Sequence, residues 1–197
     1  MHPYQVDHSV RTWVILLSAA AGTALAYCLS KLLQGVPELS VWYIDYPSVL
    51  GFFGLVLWLF DNYLWKIPLV QHIGFVRVPD LNGDWKAEIA SSSDQFQAPL
   101  QAQVHIKQTA ARISISLAAQ TSRSRSVHAS LLPKGPSGEF ELIYTYLNEP
   151  GPASPDTMSI HYGTAVLRLS EAGTILEGTY YTGRGRQTHG KMTVQRP

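Results

Sequence analysis

The sequence predicts a helical membrane hairpin joined to an all-β domain of about eight antiparallel strands, closed or nearly closed as a small up-and-down barrel. Three observations carry that expectation. Two uncharged apolar stretches, 12–30 and 46–60, stand in the first third of the 197 residues. After Pro79 no segment has helical periodicity, and the chain reads as short alternating strands punctuated by turn residues. With the hairpin and a linker set aside, about 115–120 residues remain, enough for one small domain.

The first stretch has Arg11 before it, Lys31 after it and no charge between them. A helix rises about 1.5 Å per residue, so about 20 residues cross a hydrocarbon layer of roughly 30 Å. A signal peptide cleaved near Ala24-Leu25-Ala26 is the alternative. The length of the run and the second apolar stretch behind it favour a span. That second stretch reaches spanning length when extended through Asp61 and Asn62 to Trp65, which gives a span over 46–65 with Trp42, Tyr43, Tyr63 and Trp65 as interfacial belts. Arg11 precedes the spans and Lys66 and Arg77 follow them, whereas 34–45 carries Glu38 and Asp45 but no Lys or Arg. Positive-inside reasoning therefore places both termini and the β domain in the cytoplasm. Residues 1–72 read as the hairpin, 73–79 as a linker and 80–197 as the cytosolic domain. Asp61 reads either as an interfacial carboxylate one turn from Lys66 or, with Asn62, as a hydrogen-bonding pair between helices. The small-residue pairs Gly22/Ala26 and Ala20/Ala24 permit close helix contact.

Within the β domain the expected strands are 83–90, 100–108, 112–119, 122–132, 139–148, 158–169, 175–182 and 188–195. Turn residues cluster between them, as in Ser91-Ser92-Ser93 and Glu171-Ala172-Gly173. A β-sandwich is the alternative to a barrel. From Asp80 onward eleven Lys and Arg face ten Asp and Glu, which excludes the positive field that a nucleic-acid polymer requires. Cys28 is the single cysteine, so no disulfide forms within the chain, and a reducing compartment suits it.

Alternation describes the interior. Ile113, Ile115 and Leu117 oppose Ser114 and Ser116, and Val104 and Ile106 oppose Gln103, His105 and Lys107. One face of 139–148 carries Phe140, Leu142, Tyr144, Tyr146 and Asn148, turning from apolar to aromatic to polar. A barrel with a dry end and a wet, aromatic end suits a small polar ligand. Leu81-Asn82-Gly83-Asp84-Trp85 opens the domain and offers Trp85 as a core plug.

Ser122-Arg123-Ser124-Arg125-Ser126 is the densest polar cluster, and strict period two places Ser122, Ser124, Ser126 and His128 on one face and both arginines on the other. Inward serines would line a pocket with hydroxyls; inward arginines would clamp a phosphate. Tyr180-Tyr181-Thr182-Gly183-Arg184-Gly185-Arg186 ends one strand and enters the last hairpin, where arginines on glycine-flanked backbone can approach an anion and tyrosines can stack on a base. The plainer reading of each cluster is a solvated strand or a glycine hairpin with surface arginines. His161 and Thr164 lie in a strand, where a lone histidine reads first as a hydrogen-bonded wall residue. His105, His128, His161 and His189 lack metal-ligand spacing, and no nucleophile elbow, His-Glu-x-x-His or catalytic carboxylate pair is present. The sequence therefore gives enzyme chemistry no positive support and asks for neither metal nor cofactor.

In the order of these features the chain resembles the two-transmembrane β-barrel effectors of bacterial CBASS (cyclic-oligonucleotide-based antiphage signalling). The resemblance rests on the two spans, Leu81–Trp85, the serine-alternating strand Ser122–Ser126 and the run Tyr144-Thr145-Tyr146-Leu147-Asn148-Glu149-Pro150. His161-Tyr162-Gly163-Thr164, Gly178-Thr179-Tyr180 and Arg184–Gly190 continue it. It implies an eight-stranded barrel that binds a cyclic dinucleotide made by a partner nucleotidyltransferase, oligomerises and lets the spans breach the inner membrane. A ligand with two negative charges and two bases wants cations, hydroxyls and aromatic faces. Ser124, Ser126, Tyr144, Tyr146, Asn148, His161, Thr164, Tyr180, Thr182, Arg184 and Arg186 are the expected contacts. A membrane-tethered, lipocalin-like carrier of a lipid or other small molecule is the alternative, and it would want a deep aliphatic interior instead.

Overall fold

The computed structural model describes residues 1–5, 8–33, 42–72, 78–134, 139–152, 154, 158–183 and 187–197. They divide into two compact units, Met1–Val6 with Val78–Pro197, and Asp7–Arg77.

The first unit is a closed barrel. Eight strands follow one another up and down: β2 (Gly83–Ser91), β3 (Leu100–Gln108), β4 (Arg112–Ala119), β5 (Ser122–Lys134), β6 (Glu139–Pro150), β7 (His161–Leu169), β8 (Ile175–Thr182) and β9 (His189–Gln195). Each pairs antiparallel with the next, and β9 returns to β2 through the register Ala87↔Val194 and Ile89↔Met192. The expected strands lie within three residues of these boundaries. A further strand, β1 (His2–Gln5), has no counterpart in the sequence reading, which gave residues 1–72 to the hairpin. Its four residues are too few for alternation to register, and its place is fixed by its partners. β4 and β5 pair directly only over Ser116–Ala118 and Arg123–Arg125. Where they diverge, β1 bridges them, antiparallel to β4 at His2↔Ile113 and parallel to β5 at Tyr4↔Ala129.

Inward positions alternate as the pleat demands. Ile106, Ile113, Leu131, Leu142, Leu167 and Val194 are at most 2% exposed and fill the barrel. In β5 a bulge between Ser126 and His128 resets the phase, so Ser124 and Ser126 face in before it and Ala129 and Leu131 after it. His128 is consequently exposed on the outside, contrary to its expected place beside Ser126.

One end of the barrel is plugged. Trp85 is buried and donates its indole N–H to the Leu81 carbonyl at 3.0 Å, while the Arg196 guanidinium lies 4.6 Å from its ring centroid. Beside it the buried Gln108 amide accepts from the Leu81 N–H at 2.8 Å and donates to the Tyr4 hydroxyl at 3.1 Å and the Pro79 carbonyl at 3.2 Å. Tyr4 and Pro79 flank the two places where the chain leaves and re-enters the barrel unit, so one side chain ties down both connections.

The second unit contains α1 (His8–Leu33), α2 (Trp42–Asn62) and the short α3 (Pro68–His72). Thr12–Leu33 is long and apolar enough to cross a membrane, and Ser48–Asn62 is a shorter apolar stretch. Trp13, Leu16, Leu25, Leu50, Leu55 and Trp58 are exposed. Ser18, Gly22 and Ala26 are buried, and a Cβ on Gly22 would stand 2.7 Å from the Phe53 amide nitrogen. This stripe is therefore consumed in packing α1 on α2, whereas Ala20 and Ala24 face outward. The second apolar helix does not run on to Trp65: α2 stops at Asn62, a 3-10 turn follows over Leu64–Lys66, and Pro68 opens α3. Trp65 is buried there instead of standing in an exposed belt.

Two variants test this packing. Gln108→Leu should cost about 2–4 kcal/mol, because it strands several buried polar groups at once; an unchanged denaturant midpoint in detergent would remove Gln108 from its tying role. Gly22→Leu should cost the helical unit about 1–3 kcal/mol, while Ala24→Leu on the open face costs little. Equal thermal stability of the two variants in micelles would contradict the packing.

Candidate ligand site at the polar end of the barrel

The end opposite Trp85 is built from the start of β5, the end of β6, the start of β7 and the end of β8. Period two points Ser124, Ser126, Tyr144, Tyr146, Asn148, His161, Tyr180 and Thr182 inward there. Register stacks them in rows. Ser124 pairs with Asn148, and Asn148 with His161. One step deeper Ser126, Tyr146, Gly163 and Thr182 follow one another across four strands, and below them lie Tyr144, Ala165, Tyr180 and Gly190. Neighbouring strands lie about 4.8 Å apart, so each row is a polar or aromatic band on the inner wall.

The glycines make room for the rings. A Cβ on Gly163 would collide with the Tyr146 ring, and one on Gly190 with the Tyr180 ring. Tyr144 and Tyr146 rest with ring centroids 6.0 Å apart at 50°. Burial, and secondarily the neighbouring Tyr146, push the Tyr144 hydroxyl far above the usual phenol range, so it stays a donor, here toward the Met192 sulfur at 3.7 Å. His161 is held through Nδ1 by the Ser159 carbonyl at 2.8 Å, which in the neutral imidazole leaves Nε2 as an acceptor. Thr182 accepts from the Thr188 N–H at 2.9 Å and donates to the Thr188 carbonyl at 3.1 Å, pinning both ends of the last hairpin. Asn148, 7% exposed, offers its amide to the interior with no hydrogen bond to another described residue. Ser126 is already engaged: it accepts from the Ile115 N–H at 2.9 Å and lies 2.7 Å from Nε2 of His2.

Three expected contacts stand apart from this group. Thr164 has the opposite phase to His161 and Gly163 and faces outward, its hydroxyl 3.5 Å from that of Thr145. Arg184 and Arg186 lie outside the described residues, although the flanking Thr182 and Thr188 stand at the polar end. The inward-arginine alternative is settled: Arg123 and Arg125 are outside, Arg125 bonding Glu149 at 3.1 Å. Two recesses of about 660 and 530 Å³ lie near Arg168 and Lys191 and near Lys86 and Arg123, and of the inward polar rows only Ser124 lines one of them, the second. Sequence reasoning missed His2, for which no local signal exists, and the ring-bearing role of Gly163 and Gly190. An isolated strand glycine does mark a close approach, so the latter was recoverable.

Residues 76–196 match the family described as Cap15, cyclic dinucleotide receptor domain. A relative named CD-NTase-associated protein 15, from Yersinia aleksiciae, is 32% identical over 145 residues, which are 74% of this chain and 67% of the relative. The match spans the whole barrel meander, with its plugged end and its polar end, and the chain belongs to the Cap15 cyclic dinucleotide receptor family, the group of CBASS effectors that its sequence resembles.

Proposed function

We propose that the barrel binds a cyclic dinucleotide at its polar end, and that binding drives oligomerisation through which the apolar helices disrupt the bacterial inner membrane and abort a phage infection. The observation that carries the reading is the asymmetry of the interior, which is solid and aliphatic toward Trp85 and lined with tyrosine, serine, asparagine, histidine and threonine at the other end. Ser124, Tyr146, Asn148, His161, Tyr180 and Thr182 would supply hydroxyls, an amide, an imidazole acceptor and ring faces for two bases. The phosphodiester charges need cations, and Arg184 and Arg186 in the β8–β9 connection are the assigned partners. Binding would ask the Tyr146 and Tyr180 rings to swing off Gly163 and Gly190. The nucleotidyltransferase that makes the ligand acts through its product alone, and the receptor is not an enzyme.

The membrane half of the proposal is supported by the apolar Thr12–Leu33 helix and by the exposed apolar side chains of α1 and α2. Topology supports a re-entering path: β1 and β2–β9 belong to one barrel, so the intervening chain must begin and end on one side of any bilayer, which favours two crossings with the N-terminus and the barrel in the cytoplasm. A lipid carrier is disfavoured by the filled interior, where Leu131, Leu142 and Leu167 leave an acyl chain little room.

Full-length protein in micelles, titrated calorimetrically with cyclic dinucleotides of differing base content, should bind one member saturably. Replacing Arg184 and Arg186 together with alanine should weaken that binding about tenfold or more, and equal affinity would remove them from the site. Vesicles carrying the protein should release an entrapped dye when that ligand is added. Binding without release would overturn the membrane step and leave the receptor standing.

A further inference from the structure

Resting on the receptor reading, we infer that β1 is a displaceable ninth strand that regulates the site, because its His2 occupies the hydroxyl of Ser126, one of the ligand contacts expected from the sequence. Ser126 Oγ has one proton and two lone pairs to share. The Ile115 N–H takes one lone pair at 2.9 Å. His2 Nδ1 lies 3.1 Å from the Pro3 carbonyl, an acceptor only, so in the neutral imidazole Nδ1 carries the proton and Nε2 presents a lone pair to Ser126 at 2.7 Å. The Ser126 proton is therefore spent on His2. A phosphodiester oxygen carries no proton and can use Ser126 only by taking that donor away from the imidazole.

β1 is poised to yield. Its backbone pairs at two residues with β4 and at two with β5, and its contact with β5 is the one parallel ladder among the described barrel strands. Side-chain anchors besides His2 include the buried Tyr4, which donates to the Thr109 carbonyl at 3.3 Å and accepts from Gln108 at 3.1 Å. Every other strand holds its neighbours over longer stretches apart from the short β4–β5 ladder, which ends where β1 begins. Covalent continuity supplies the output: α1 begins at His8, three positions after the last residue of β1. Loss of His2 from Ser126 frees the segment that leads along the chain into the apolar helix, so ligand in the barrel would be reported to α1 by chain continuity alone.

The test uses full-length protein in micelles with Cys28→Ser, Pro3→Cys and Arg112→Cys. Pro3 and Arg112 are directly paired across β1 and β4 and both are exposed, which suits a disulfide. Each form is titrated with the same panel of cyclic dinucleotides. The oxidised lock should bind at least about tenfold more weakly than the reduced form of the same protein, and His2→Ala should bind about three- to tenfold more tightly than wild type. In wild type, saturation should speed hydrogen exchange at the Tyr4 and Gln5 amides. Equal affinity of the oxidised and reduced forms, or saturable binding with unchanged exchange at β1, overturns the displacement and leaves the receptor reading intact. Failure of wild type and the reduced form to bind any member overturns the receptor reading and the displacement together.

Discussion

Eight strands closed on themselves leave an interior just wide enough to be filled by side chains. That limit governs the molecule. Each inward residue must match the volume left by its neighbours, so bulky and absent side chains appear as partners: Tyr146 over Gly163, Tyr180 over Gly190. Gly178 obeys the same limit against backbone, since a Cβ there would run into the Val166 carbonyl. At the Trp85 end the constraint is met with aliphatic side chains and yields a solid plug. At the other end it is met with rings and small polar groups, which can be repacked at lower cost.

Charge is kept out of the interior wherever the side chains are described. The described Lys and Arg ion pairs, Arg125 with Glu149 and Lys134 and Arg168 with Glu141, lie on the outer wall. The Glu141 carboxyl is held below its usual range chiefly by the Lys134 hydrogen bond, with help from Arg168. Exposed pairs of this kind contribute little to stability, and their role is to keep the outer wall solvated. Among the described residues the inner wall at the polar end holds no Asp, Glu, Lys or Arg, and Tyr144 is held protonated by its burial. An anionic ligand seated there would gain hydrogen bonds from the wall and would need its charge balanced from the rim.

Most of the barrel was legible because period-two alternation survives in every long strand, and β3, β4 and β8 have the boundaries that the pattern predicts. The inward set on β6 was legible for the same reason, and the rule that placed Tyr146 and Asn148 inside also placed Thr164 outside once the phase of β7 was followed from His161. Two features were not legible. The bulge after Ser126 inserts Val127, an ordinary strand residue, so nothing local betrays the change of phase that carries His128 outward. β1 has no periodicity of its own and exists because β4 and β5 diverge, a property of closure and shear that no single segment contains. The small-residue stripe on α1 was visible, but only the burial of Ser18, Gly22 and Ala26, with Gly22 against Phe53, distinguishes them from the exposed Ala20 and Ala24.

The position of β1 also bears on the order in which the barrel is assembled. Consecutive strands from β2 to β9 can zip as hairpins, each closing a short loop on a microsecond scale. His2 and Tyr4, by contrast, meet Ser126 and Gln108 across 124 and 104 residues of sequence. Contacts so distant reward the chain only after much conformational entropy has been given up. The N-terminal strand, first to be synthesised, is then among the last to dock, and until it does the divergent edges of β4 and β5 stand unpaired. A chain that forms its apolar helices early and completes its barrel late carries its most association-prone edge throughout the interval between the two.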